Sequence, residues 1–347
     1  MKRDLRKYII PASACLAVLV GLAYYYLFTS FTGRSESVYV YVDQDDNYDS
    51  LVNKLEPLAQ RHCFHAFCNI ARHSSLIKHV RTGRYMITPS MGVLKVFRHL
   101  KSGMQTPLNL TIPSVRTMND LAGALSRKLM LDSTQFMHAF ADENICQKYG
   151  YDTATIAALF IPNTYDIYWN ISVDGLLQRM QKENQKFWNS NRMAQAQALK
   201  LTPVEVTTLA SIVEEETANN AEKPMIAGMY YNRLMLRSPK YPQGMPLQAD
   251  PTIKFAWKQF GLKRIYNNLL HINSPYNTYR FPGLPPGPIR IPSITGIDAV
   301  LNMKHHNYLY MCAKEDFSGT HRFAQTYEEH LANARRYAEA LNNRGIK

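Results

Sequence analysis

The stretch Leu209–Asn220, LASIVEEETANN, sets an apolar run directly against three consecutive carboxylates. In a helix, positions i, i+3, i+4 and i+7 share one face, and Leu209, Ile212, Val213 and Glu216 stand at that spacing. Glu216 therefore extends an apolar stripe, Glu215 points well away from it, and Glu214 lies on the flank near Ala210 and Ser211. A carboxyl beside apolar surface loses hydration of its charged form, so its pKa rises. Such a group can keep a proton near neutral pH and donate it as a general acid. The alternative for Glu216 is a buried carboxylate paired with an arginine or bonded to a backbone amide. Glu214 and Glu215 read as solvated or flanking charges.

Further polar groups follow in loops. Gln248 and Asp250 lie in MPLQADPT, and Tyr276, Asn277, Thr278 and Tyr279 lie in SPYNTYRFPGLPPGPIRIPS. Aromatic faces and amides in long Pro- and Tyr-rich loops suit a carbohydrate groove, although YNTY is equally good turn chemistry. The HCFHAFC stretch brings Cys63 and Cys68 near His62 and His65, but a zinc site needs a second ligand pair, and none follows. A core or surface cluster is the better reading, and a Cys63–Cys68 disulfide is permitted without being required. No metal or organic cofactor is signalled.

These groups need a scaffold. Thr202, Pro203 and Glu205 form a helix start with a Thr-x-x-Glu capping box, which predicts a helix over 203–219. A second helix is expected from Pro224 through MIAGMYYNRLML. Two strand–turn–helix units are predicted upstream: Val38, Val40 and Val42 alternate before Leu51, Leu55 and Leu58, and Leu108, Leu110 and Ile112 before Leu121, Leu125 and Leu129. They fit either a repeat or ordinary α+β packing. GRYMI (83–87) reads as a strand and Val93–Leu100 as a helix. Residues 130–200 look mainly helical, with DGLLQRMQKENQKFWNSNRMAQAQALK as an exposed helix. NYLYMCA and HRFAQT read as a hairpin, and Tyr327–Asn342 as a closing helix.

The chain has 347 residues, 46% hydrophobic and 19% charged, with a net charge of +13. That is a globular composition of about two domains, and the charge suits an acidic partner: nucleic acid, anionic lipid or an anionic wall polymer. The N-terminus narrows the choice. Tyr8 to Gly33 carries no charge and follows Lys2, Arg3, Arg6 and Lys7. It is long enough to span a bilayer, and the positive-inside rule puts residues 1–7 in the cytoplasm. The apolar run exceeds the core of a cleaved signal peptide, so a retained anchor over 8–31 is expected, with the remaining chain extracytoplasmic. Nucleic acid is thereby excluded as a partner.

The motifs LASIVEEET, YYNRL (230–234), LQADPT (247–252), YNTY (276–279), GLPPGPI (283–289), YLYMCA (308–313) and GTHRFAQT (319–326) occur in one order. In that order they resemble the YceG-like family of membrane-anchored endolytic murein transglycosylases of bacteria. The resemblance implies an α+β chain with a single N-terminal transmembrane helix, a LysM-like subdomain over 34–106 and a catalytic domain over 107–347 with its core at 200–330. It implies cleavage, without water, of the β-1,4 bond between N-acetylmuramic acid and N-acetylglucosamine within nascent peptidoglycan, ending strand elongation at the inner membrane alongside peptidoglycan synthases. Glu216 falls on the family's essential acid. Gln248, Asp250, Tyr276, Asn277, Thr278 and Tyr279 fall in its substrate-contacting motifs, with Glu214, Asn232 and His321 as supporting positions. The chain departs from the family pattern at Asn163, Ile291 and Leu331.

Two rival readings keep the same groove: a hydrolase using water, with Asp250 as second carboxylate, and a non-catalytic scaffold that only binds glycan or wall-building proteins. A Ser-x-x-Lys in SLIK (75–78) lacks the partner motifs of penicillin-binding acyl transfer.

Overall fold

Alternating valines and leucine-spaced helices appear where the sequence places them. The computed structural model describes residues 2–262 and 264–345. Helix α1 (Lys2–Leu27) contains the apolar stretch Tyr8–Leu27, 20 residues of mean hydropathy 1.8, none of them buried. At ~1.5 Å per residue that length matches a ~30 Å hydrocarbon layer. The helix stops at Leu27, before residue 31, and Phe31 is fully buried among protein side chains.

The chain forms two compact units. The first is Met1–Leu110 with Lys128–Leu131 and Tyr165–Ile171; the second is Thr111–Arg127, Asp132–Thr164 and Ser172–Lys347.

In the first unit, β1 (Val38–Val42) pairs antiparallel with β2 (Gly83–Ile87), Val38 opposite Ile87. Helices α2 (Tyr48–Leu55) and α3 (Arg61–Arg72) lie between them in sequence, and α4 (Val93–Ser102) follows. Alternation turns Val40, Val42, Tyr85 and Ile87 to one face, where they pack with Leu51, Leu55, Phe67, Val96 and Leu100. Cys63 and Cys68 are unbridged, and Cys63 is buried. Strand β3 (Leu108–Thr111) ends this stretch and pairs with β4 (Thr164–Ile167).

The second unit is mostly helical. Helix α5 (Met118–Ser126) opens on a capping box between Thr117 and Asp120, giving the second strand–turn–helix step. Helices α6 (Ser133–Ala141) and α7 (Glu143–Lys148) follow. The expected single exposed helix is instead two, α8 (Val173–Phe187) and α9 (Ser190–Ala198), and Leu176, Leu177 and Met180 of α8 are buried. Asn189 breaks the run because its side chain caps α9, accepting from the Arg192 amide.

Helix α10 (Pro203–Glu216) starts on the Thr202–Glu205 capping box. Every residue from Val206 to Val213 is buried, so the helix is enclosed on all faces and not only along one stripe. It packs against α11 (Lys223–Met235), α12 (Asp250–Trp257) and α13 (Ile294–Leu301). The hairpin of β5 (Tyr310–Ala313) and β6 (His321–Ala324) forms as expected, followed by α14 (Tyr327–Asn343).

Leu209 lies at the centre of this enclosed helix, fully buried. Leu209→Ala should destabilise the second unit by about 2–5 kcal/mol through the cavity it leaves. The shift in the urea midpoint of helical circular dichroism measures this.

Candidate active site

Helix α10 ends on its three glutamates, so all three carboxylates sit at the negative end of the helix dipole. The structure neutralises two of them. Glu214 Oε2 accepts from Lys223 Nζ and Ser293 Oγ at 2.9 and 2.8 Å. Residue 296 is glycine where a Cβ would come within 2.5 Å of that same oxygen. Glu215 Oε1 accepts from Arg116 Nε at 2.8 Å and Arg290 Nη1 at 2.6 Å. Of the two readings offered by the sequence, solvated or flanking, neither residue is the solvated one: cations arrive from distant segments.

Glu216 has no ion pair among the described residues. The helix breaks immediately after it, where Thr217 turns extended. Its Oε1 accepts a hydrogen bond from Tyr230 Oη at 2.5 Å. Burial pushes its pKa up to about 6; Tyr230 opposes the rise and Asp250 adds to it. Tyr230 is itself enclosed, and burial together with the Glu216 charge holds its phenol well above the ordinary range, so it stays a donor.

Glu216 and Tyr230 open into a cavity of about 310 Å³ that Arg233, Gln248, Asp250, Tyr279, Tyr310, His321, Tyr327 and His330 also line. Asp250 begins α12, and its Oδ1 accepts from Tyr279 Oη at 2.5 Å. Burial and that neighbouring carboxylate keep the Tyr279 phenol protonated. Glu222 is buried; it accepts from the His321 amide at 2.6 Å and lies 3.1 Å from His321 Nδ1. The imidazole is thereby fixed in orientation, in the manner of a carboxylate–histidine pair. Arg233 donates to the carbonyls of Leu309 and Leu247 at 2.5 and 2.6 Å and lies over the Tyr310 ring.

The positions expected to touch substrate, with the supporting positions His321 and Asn232, divide into three groups. Gln248, Asp250, Tyr279 and His321 line the cavity with Glu216. Asn277 and Thr278 are fully buried instead. Asn277 donates to the carbonyls of Leu270 and Ile272, and Thr278 Oγ1 accepts from the Ala249 amide at 3.0 Å. Gln248 is held in the left-handed region at φ 50°, its amide bonded to the Thr278 carbonyl. These two residues therefore shape the Gln248–Asp250 corner from beneath and offer sugars nothing directly. Asn232 is likewise structural, donating to the carbonyls of His306 and Tyr308. Tyr276 lines a different cavity, with Phe255, Phe260 and Arg290. Sequence reasoning missed Tyr230, Arg233 and Glu222; the YYNRL motif contained the first two without marking their roles.

Removing the Tyr230 donor should raise the Glu216 titration midpoint above about 6, because the bond favours the charged carboxylate. Carbon-13 NMR of labelled glutamate in Tyr230→Phe reads this directly. Glu216 also links to stability. Its folded value lies above the ordinary 4.5, so the fold favours the protonated form. That stability is complete below about pH 4.5 and is lost as pH rises through 6, up to about 2 kcal/mol. Glu216→Gln should accordingly gain stability over the native chain by up to that amount between those limits, measured by urea unfolding across pH.

A profile of the YceG-like family matches residues 40–336. The endolytic murein transglycosylase of Bacillus subtilis is 26% identical, over 76% of this chain and 75% of its own. Its namesake in Streptococcus pneumoniae D39 is 28% identical over 76% of this chain, which spans about half (51%) of that protein. A 2.6 Å crystal structure of a YceG-like protein from Listeria monocytogenes shares the fold, with a TM-score of 0.54 and 24% identity over 86% of this chain and 99% of that one. With a profile spanning both the first unit and the acid-bearing helix, the chain belongs to the YceG-like family.

Proposed function

We propose that the protein is an endolytic murein transglycosylase, cleaving the β-1,4 bond after N-acetylmuramic acid in nascent peptidoglycan, with Glu216 as the catalytic acid and base. The observation that carries the reading is one carboxyl at the end of α10 with no ion pair among the described residues, bonded to a phenol and opening into a polar cavity. The names of the relatives support the substrate and the reaction.

Protonated Glu216 gives its proton to the leaving glycosidic oxygen as positive charge develops at C1 of the muramyl ring. The carboxylate so formed takes the proton of the muramyl C6 hydroxyl while that oxygen closes on C1. One bond to C1 breaks, one forms, and the proton count at Glu216 is restored, so the product is a 1,6-anhydro sugar. Because an internal hydroxyl replaces water, no second carboxylate is needed. The Tyr230 phenol would stabilise the intermediate carboxylate. Gln248, Asp250, Tyr279 and His321 would hold sugar hydroxyls or amides. Hydrolysis through Asp250 is the competing reading, since that carboxylate shares the cavity.

The finer organisation belongs to the same proposal. Residues 34–106 form a LysM-like module, a reading supported by the strand–helix–helix–strand order of β1, α2, α3 and β2. Tyr8–Leu27 anchors the chain in the inner membrane with the N-terminus cytoplasmic. The second unit then works outside on strands leaving peptidoglycan synthases.

Full-length protein in detergent should convert peptidoglycan glycans into products lighter by one water than hydrolysed ends, and Glu216→Gln should lose at least about 10³ of this rate while keeping its circular dichroism. Hydrolysed ends alone, or an active variant, would refute the mechanism. The rate should fall as pH rises above about 6, where free Glu216 surrenders its proton.

A further inference from the structure

A second cavity of about 400 Å³ lies in the same unit and takes no part in the chemistry above. Its walls combine aromatic surface with cations. Phe255 packs on Tyr276 with ring centroids 4.7 Å apart and on Phe260 at 6.4 Å. Arg116, Lys258 and Arg290 line the same space. One carboxylate, Glu215, serves both arginines, so the three cations exceed the lining's need for charge balance. Arg116 gives Glu215 only its Nε. Arg290 commits Nη1 to Glu215 and Nη2 to Ser114, while its buried Nε has no acceptor among the described residues. An unmatched buried N–H in a cationic pocket is an unfilled demand for an acceptor.

The two cavities are tied to the same elements. Glu216 faces the first and Glu215 the arginines of the second, as adjacent helical residues pointing about 100° apart do. Helix α12 begins with Asp250 in the first cavity and is followed by Lys258 in the second, a separation of about 12 Å along the helix. A substrate seated on Glu216 would therefore place groups branching from the sugar near the second cavity. Peptidoglycan carries such a branch: a short peptide on the lactyl ether of the muramyl ring, ending in a free carboxylate.

Building on the proposed murein reading, we infer that the second cavity receives the peptide stem, its terminal carboxylate bound by Arg116, Lys258 and Arg290 and its side chains against Phe255, Phe260 and Tyr276. This gives the enzyme a preference for stem-bearing, newly made strands over glycan stripped of peptides. It also gives Tyr276 a place in substrate recognition outside the catalytic cavity.

Binding without turnover tests this. The full chain bearing Glu216→Gln is titrated with muramyl oligosaccharides carrying stems, with the same oligosaccharides after amidase removal of the stems, and with stems whose terminal carboxylates are amidated. The stem-bearing ligand should bind at least tenfold more tightly than the other two. Adding Arg116→Gln and Lys258→Gln, both solvent-accessible positions, should remove that preference while binding of stripped glycan stays within about twofold, which also reports an intact fold. Equal affinity for all three ligands, or a preference that survives the double substitution, overturns the inference. The outcome is separable from the catalytic reading. Anhydro products with no stem preference sink only the second site; a stem preference in a chain that makes no anhydro products sinks only the mechanism.

Discussion

Three carboxylates crowd the negative end of one buried helix, and among the described residues cations pair with only two. Without compensation, adjacent charges at a helix C-terminus repel each other and oppose the dipole. Lys223 answers Glu214, and Arg116 with Arg290 answers Glu215. Those pairs draw α11, the segment before α5 and the loop before α13 onto the end of α10. Glu216 is left with a phenol, which stabilises its charge less than a cation would. Burial then raises its pKa, and the phenol offsets that rise only in part.

The cavity around Glu216 depends on buried polar side chains whose hydrogen bonds go to backbone. Thr278 and Asn277 spend their hydrogen bonds on loop backbone, and this holds Gln248 in a left-handed conformation that an unsupported loop would leave. Arg233, in the cavity wall, gives two bonds to the Leu309 and Leu247 carbonyls, joining the segment before β5 to the Leu247 corner. Burial works against the Arg233 charge, and the carbonyls are what offset it. Polar groups buried with their partners fix one geometry, because every alternative strands a donor or acceptor.

Local rules explain which parts were legible in the sequence. Valine alternation marked β1, the Thr202–Glu205 box marked the start of α10, and leucine spacing marked α2 and α5. Helical spacing singled out Glu216 but mistook the surroundings of Glu214 and Glu215, whose partners lie up to 99 residues away in sequence. The hydrogen bond from Tyr230 crosses a helix–helix turn that no periodicity encodes. Asn277 and Thr278 were taken for sugar contacts because an amide or hydroxyl in a loop looks the same whether it serves a ligand or the backbone. The long polar run after residue 172 looked like one helix because its break rests on a single side-chain cap at Asn189.

Charge distribution connects these levels. A net +13 over the whole chain attracts an anionic polymer in general, but general attraction decays within about 8–10 Å at moderate ionic strength and cannot choose a bond. Selection needs short-range groups of opposite kinds held a fixed distance apart. The second unit has them: a cavity whose acid has its pKa raised by burial, and a second cavity lined by three cations. Both hang on the last turn of α10, where consecutive glutamates face different walls. A substitution that shifted that turn would move the Glu216 carboxyl and the Glu215-bound arginines together, so under the proposed reading one helix end couples where a strand is held to where it is cut.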